Sequence, residues 1–522
     1  MANKSVFSGG VTAVRKASKK PDTVNKAGGS AFKMADEAAL AQYACTGTFN
    51  DTFYSTAELQ LKETLALAQK VSPEFLAKTA IYAREKGYMK DMPAFLLAVL
   101  STRDVDLFKK TFPRVIDNGK MLRTFVQIMR SGAVGRRSLG SAPKKAIRAW
   151  LQSRKDYQLF RDSVGEKPSL ADVIKMVHPS PESKSREALY AYLIGKSLTD
   201  EQRQALPDVV TQYESFKKNP ASKDVPDVDF RLLTSLPLTE AQWKKIAEKA
   251  PWMMTRMNLN TFERHGVFKD DKMVQMVADR LASKTEVQKS RAFPYQLLAA
   301  YMNAEASIPR KITNALQQAM EHAVDNVPTY QGKVYVMIDV SGSMSASVTG
   351  YRKGATSKVS CRDVAALIAS VVLRKNPEAE VIVFDTHARK LNLNGFDSIM
   401  TNAQKISTPG GGTNCAAPVK MLNDAKAKGD LLIMVSDNMS WMHGGWGAAG
   451  LQSEWDVFKS RNKNAKLVCI DLLADATSQA QSRKDTLNVG GFSDQVFEVI
   501  NAFVENTGTP TFWTDRINEI TI

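Results

Sequence analysis

The stretch Lys333-Val334-Tyr335-Val336-Met337-Ile338-Asp339-Val340-Ser341-Gly342-Ser343 decides how this chain of 522 residues is built. Its first seven residues read as a buried strand, and the helical pattern upstream of it stops near Val327-Pro328. Further strands are expected at 380–385, 430–436 and 466–472, with helical patterns at about 358–374, 415–427, 452–461 and 492–505. That alternation predicts a parallel sheet covered by helices on both faces, a doubly wound α/β domain over residues 329–522. Sheets of this kind bind ligands outside the carboxyl ends of their strands, so the polar residues that follow strand 333–338 are the first place to look for a site.

Asp339, Ser341 and Ser343 form an Asp-x-Ser-x-Ser loop there, with one carboxylate and two hydroxyls within reach of one point. These are hard oxygen donors of the type a Mg²⁺-like cation takes. Gly410-Gly411-Gly412-Thr413-Asn414 opens the helix at 415–427 and can present the Thr413 hydroxyl, and the strand ending at Ser436 delivers Asp437. The pattern resembles the metal-ion-dependent adhesion site of von Willebrand A domains, Rossmann-like folds whose five ligand positions fall on Asp339, Ser341, Ser343, Thr413 and Asp437. That resemblance implies one divalent ion, Mg²⁺ by its ligands, with a position left open for the acidic group of a partner. It points to recognition rather than catalysis. No Gly-x-Ser-x-Gly elbow surrounds the serines, the residue two after Asp339 is not a second Asp, and no His-Glu-x-x-His helix or Gly-x4-Gly-Lys-Ser/Thr loop occurs.

Upstream, from about Thr56 to Met320, apolar residues recur at helical spacing in segments of 10 to 16 residues broken by Pro, Gly, Asn and Asp. Leu59, Leu61, Leu65, Leu67 and Ala68 begin the series, and Phe95, Leu96, Leu97 and Val99 supply a third helix. Stacked helix pairs follow from this succession, although no tetratricopeptide or ankyrin period is present. Nearly all of the net positive charge lies in this part. Residues 1–330 carry 51 Lys and Arg against 35 Asp and Glu, and residues 331–522 carry 20 against 19. Between Gly119 and Lys155 there is no carboxylate at all, so this segment is the one suited to phosphates. Cys45, Cys361, Cys415 and Cys469 lie far apart with no Cys-x-x-Cys, which fits a reducing compartment. The polar N-terminus and the lack of any long apolar stretch lead to the expectation of a cytoplasmic chain without membrane contact.

Gly132-Ala133-Val134-Gly135-Arg136-Arg137 leads into a proline-started helix, Pro143-Lys144-Lys145-Ala146-Ile147-Arg148-Ala149-Trp150, on which Lys144 and Arg148 share a face and Ile147 and Trp150 turn to the core. This segment is similar to the TROVE module of the Ro 60-kDa autoantigen family. Asn25–Phe32, Val177-His178-Pro179, Met257-Asn258-Leu259 with Gly266, and Arg291–Tyr295 before Gln296 agree with that module, and Gly490-Gly491-Phe492 with the family's A domain. The resemblance is to members of bacterial or phage type. It implies a multidomain protein: a flexible basic arm at 1–24, an all-α ring of HEAT-like repeats at 25–328, and the von Willebrand A domain. It further implies binding of small Y-like noncoding RNA and of single-stranded RNA 3′ ends, work with an exoribonuclease in RNA quality control, and no enzymatic activity. RNA contacts carried over are Lys144, Lys145 and Arg148, then Arg136, Arg137 and His178. His178 precedes Pro179 and reads equally well as a helix end. Phe49, Tyr54 and Trp150 read as core residues rather than stacking platforms. The rival reading is a metal-dependent, adhesion-type protein-binding module on a helical scaffold. A chelatase-like assembly and a hydrolase using Asp339 or Asp437 stand further back.

Overall fold

The structure is a computed structural model that describes residues 20–522 except 166, 220, 221, 223, 224, 291, 293, 326, 355, 407–409, 442–446, 494 and 506–508. Residues 1–19 of the expected basic arm, and Arg291 and Phe293 of one motif, lie outside the described residues.

The first half is helical, as its periodicity requires. After two short strands, β1 (Thr23–Val24) and β2 (Ser30–Lys33), come α1 (Asp36–Thr46), α2 (Ala57–Lys70), α3 (Pro73–Glu85), α4 (Asp91–Arg103), α5 (Val105–Val115), α6 (Gly119–Ser131), α7 (Ser141–Ser153), α8 (Asp156–Asp162) and α9 (Leu170–Val177). Side-chain caps start several of them: Thr56, Ser72, Asp104 and Asn118 each accept a backbone N–H of the first turn. Gly132, at φ +91°, ends α6 in the left-handed conformation that a side chain would strain. Each helix packs on those one to three places along. α3 lies on α4 and α5, α4 on α6, α5 on α7, and α9 on both α6 and α7. Phe108, Phe112 and Phe125 knit α5 to α6 with ring centroids 5.4–6.0 Å apart. Burying each such ring is worth roughly 1.5–3 kcal/mol.

The second half is the expected α/β domain. Strands β3 (Val334–Asp339), β4 (Glu380–Phe384), β5 (Ala388–Leu391), β6 (Leu431–Ser436), β7 (Lys466–Asp471), β8 (Thr477–Ser478) and β9 (Thr486–Gly490) complete the set. The large sheet runs β5-β4-β3-β6-β7-β9, parallel except for the antiparallel edge strand β5. β3 and β6 are fully buried neighbours in register, Ile338 opposite Val435, so the residues leaving their carboxyl ends meet. β8 and the helix Phe512–Asn518 went unforeseen, as did three elements whose composition hides them. β5 is a half-exposed edge strand, β9 interrupts its apolar residues with Asn488, and the helix Ile399–Ile406 is short.

The helical run packs on the A domain at both of its ends. At one end α1 packs on β9, and the C-terminal helix Phe512–Asn518 packs on α3 and α1. At the other, helix Pro294–Asn303 packs on helix Cys361–Lys375, and helix Arg310–Ala323 packs on Ile399–Ile406. Tyr295 meets Phe492 with ring centroids 4.9 Å apart. The helical run therefore begins and ends on the A domain, a closed circuit of packing. In addition β2 pairs with β1 on one side and with β8 on the other, so the first described segment of the helical half completes a small sheet with the A domain.

Candidate metal centre and basic helical face

All five expected metal-site residues converge at the carboxyl edge between β3 and β6. Asp339, Ser341, Ser343, Thr413 and Asp437 are each at most 4% exposed. Local bonding explains their placement. The Ser341 N–H donates to Asp339 Oδ1 at 2.9 Å, and the Ser341 and Ser343 hydroxyls lie 3.4 Å apart. Gly342 N–H donates to the Gly411 carbonyl and Gly410 N–H to the Val340 carbonyl, both at 2.9 Å, which brings the glycine loop and Thr413 over the end of β3. A Cβ at Gly410 would sit 2.3 Å from Asp385 Oδ2, so the loop can lie this close only with glycine there.

The electrostatics suit a cation. Burial first, then the neighbouring Asp339 charge, push Asp437 up to about 7, and burial likewise raises Asp339. Asp437 Oδ2 is buried with no hydrogen-bond partner, which a folded protein tolerates where an ion supplies the missing contact. Two carboxylates with three hydroxyls form a hard-oxygen set of the kind Mg²⁺ takes. Among the described residues no cluster of three His, Cys, Asp or Glu offers an alternative centre. Ser436 escaped the sequence reading. Its hydroxyl donates to Asp339 Oδ2 at 2.7 Å and accepts from Asn438 N–H at 3.1 Å, so it orients the first carboxylate from the last position of β6. Tyr54, read from the sequence as a core residue, is half-buried instead: it comes from the loop between α1 and α2 and lies in the electrostatic neighbourhood of Ser343, Asp339 and Asp437.

On the helical half, α7 presents Lys145 and Arg148 to solvent, with Lys144 half-buried. Ile147 and Trp150 face inwards, and the Trp150 indole donates to the Ile116 carbonyl at 2.7 Å, so Trp150 is a core residue. Arg148 Nε donates to the Val177 carbonyl at the end of α9, which places it beside exposed His178. His178 is also the helix end that its sequence allowed, in left-handed geometry at φ +49°. Arg137 is exposed, whereas Arg136 turns back to donate to Ser101 Oγ at 3.0 Å and is held by the fold. Three further cations complete this face. Arg130, Lys167 and Lys175 line a cleft of about 640 Å³ between α6 and α9, in which Asp172 is the carboxylate. Arg130 belongs to the carboxylate-free segment and was within reach of the charge count; Lys167 and Lys175 lie outside it and are gathered only by the fold.

Two family models match this chain in the order of its two halves: the TROVE domain over residues 224–341 and the Ro60 vWA domain over residues 333–504. The chain belongs to the Ro family. Among its relatives is the "RNA-binding protein RO60" of Deinococcus radiodurans, 24% identical over 520 residues, covering 92% of this chain and 94% of the relative. A protein of the same description from Caenorhabditis elegans is 25% identical over 252 residues, 45% of this chain and 37% of its own length. The crystal structure of the Deinococcus radiodurans RO (RSR) protein superposes with a TM-score of 0.62 at 20% identity, over 90% of this chain and 99% of that one. The Ro-type architecture thus extends through the helical half, well upstream of the matched TROVE residues. Among the described residues no helix is long and apolar enough to cross a membrane.

Proposed function

We propose that this Ro-family protein binds RNA on the face built by α6, α7 and α9, and that its A domain is a separate, metal-dependent protein-recognition module. The observation that carries the reading is the gathering of Arg130, Arg137, Lys144, Lys145, Arg148, Lys175 and His178 on and beside α6 and α7, both packed on α9, where carboxylates are few. Such a surface binds phosphates by releasing counterions. The relative from Deinococcus radiodurans, described as RNA-binding, supports the same ligand class. We assign the ligands as small Y-like noncoding RNA and the single-stranded 3′ ends of misfolded RNA, with an exoribonuclease as working partner in RNA quality control in the cytoplasm. Shape and phosphate contacts, rather than base edges, would set the preference. Chemistry on the RNA is not assigned to this chain.

The metal module takes Mg²⁺ on Asp339, Ser341, Ser343, Thr413 and Asp437, and the ion would supply a positive centre for an acidic group of a protein partner. The unpartnered, buried Asp437 Oδ2 favours it. The deciding experiment measures affinity for a structured RNA with and without a single-stranded 3′ tail, across a salt series, with and without EDTA. Tail-dependent, salt-sensitive and EDTA-insensitive binding is expected. Absence of binding at low salt would leave the metal module as the leading function and the helices as its scaffold.

A further inference from the structure

The carboxyl edge of a parallel sheet is ordinarily an open crevice, yet here the five ligand positions are sealed. Part of the seal comes from outside the A domain. The segment 48–55, between α1 and α2, is pinned to the stretch that follows the Asp-x-Ser-x-Ser loop. Asn50 Nδ2 donates to the Thr349 carbonyl at 2.8 Å, Tyr351 N–H donates to the Asp51 carbonyl at 2.7 Å, and Asp51 and Tyr351 form an isolated antiparallel bridge. Gly350, at φ +70°, lies so close that an added Cβ would fall 2.9 Å from both Asn50 Cβ and the Asp51 carbonyl oxygen. This anchoring brings half-buried Tyr54 to the site, where it lies in the electrostatic neighbourhood of Ser343, Asp339 and Asp437. Phe53 packs edge-on against the Tyr54 ring at 4.8 Å and is itself 60% exposed, so the ring is supported from the solvent side.

We propose that Tyr54 is a built-in occupant of the face through which the metal site meets its partner, so that metal binding latches the 48–55 segment of the helical half onto the A domain. An acidic partner then gains the site only by displacing Tyr54. A neutral phenol suits this role. It is an oxygen donor that can bond a hydroxyl or a metal-bound water, yet it brings no charge to compete with an incoming carboxylate. The segment lies where the helical run begins on the A domain, so partner binding at the metal would loosen one of the two places where the circuit closes.

This inference rests on the metal reading, and one experiment separates the two. Mn²⁺ is titrated into the full chain, its binding followed by water-proton relaxation, and hydrogen exchange is read over residues 48–56 with and without the ion. Wild type, Tyr54→Phe and, as a site control, Asp339→Asn are compared. Mn²⁺ should bind wild type and Tyr54→Phe but not Asp339→Asn, and should slow exchange of the segment in wild type. In Tyr54→Phe the bound ion should show higher relaxivity, through an added exchangeable water, and the segment should exchange about fivefold faster, the scale of one lost polar contact. Equal relaxivity and equal protection in Tyr54→Phe would overturn the role of Tyr54 while leaving the metal site standing. Failure of wild type to bind Mn²⁺ would overturn both.

Discussion

Two buried aspartates at neighbouring strand ends are held for different reasons. Asp437 faces Asp339 across a gap fit for a cation, and one of its oxygens has no protein partner. Asp471, ending β7, is bonded at 3.1 Å by the Gln42 amide from α1, and burial raises its carboxyl well above the usual range. Asp471 thus joins the helical half to the sheet through a carboxyl that burial biases towards its protonated form. A carboxyl whose folded pKa is raised makes the folded state bind more protons than the unfolded one, so its contribution is full below the unfolded value, about 4, and is lost as pH rises towards the folded value. Asp471→Asn removes that liability and keeps the shape. Relative to wild type it should gain stability progressively as pH rises above about 4, read as the difference between the two thermal unfolding curves in EDTA. Parallel curves across pH would mean that Asp471 ionises freely.

At the scale of elements, α7 shows how one segment divides between core and surface. Its apolar stripe was legible from spacing, and Ile147 and Trp150 are buried as that stripe requires. The loop before it was less legible. Arg136 and Arg137 look equivalent in sequence, but Arg136 is spent on Ser101 Oγ and packs against Gly140, whereas Arg137 is exposed. The two kinds of cation should separate on mutation. Arg136→Ala should cost about 1–3 kcal/mol of stability, because it removes a charged donor from half-buried surroundings, and should leave the salt slope of RNA binding unchanged. Lys144→Ala with Arg148→Ala should cost less stability and lower that slope by about 1.4, near 0.7 per lost contact to single-stranded phosphate. A denaturant titration and an RNA titration at several salt concentrations check both. An unchanged slope in the double variant would remove α7 from the interface.

At the scale of the whole molecule, the N-terminal segment acts as a clasp behind the candidate metal site. Asn25 Nδ2 donates to the Ser440 carbonyl at 2.9 Å, and the Ser440 hydroxyl accepts from Cys415 N–H at 3.2 Å, next to Thr413. Lys26 lies 2.8 Å from Glu63 and 3.6 Å from Asp475, so it ties α2 to the A domain. A Cβ at Gly29 would fall 1.9 Å from the Ser440 carbonyl oxygen, whereas one at Gly28 would meet open space. Gly29→Ala should therefore destabilise the chain by about 1–3 kcal/mol by overpacking and expose residues 20–34 to protease. Gly28→Ala, at φ +82°, should cost only the strain of its backbone, about 1 kcal/mol, and leave the clasp closed. Equal protease resistance in both variants would show that the clasp tolerates the shift.

What the sequence by itself determined is what depends on near neighbours. The helical and α/β halves, the strands ending at Asp339 and Ser436, and the convergence of the five candidate metal-site residues were legible, because periodicity marks buried faces and a parallel sheet delivers consecutive strand ends to one edge. The basic residues of the proposed RNA face were partly legible, since a local excess of charge can be counted. Only the tertiary structure decided that Tyr54 and Asn25, some 300 to 400 residues from their partners, stand before and behind that edge, and that Lys167 and Lys175 join the basic face. Such contacts leave no periodic trace, because one hydroxyl or one amide meeting a distant backbone constrains a single position rather than a repeating pattern.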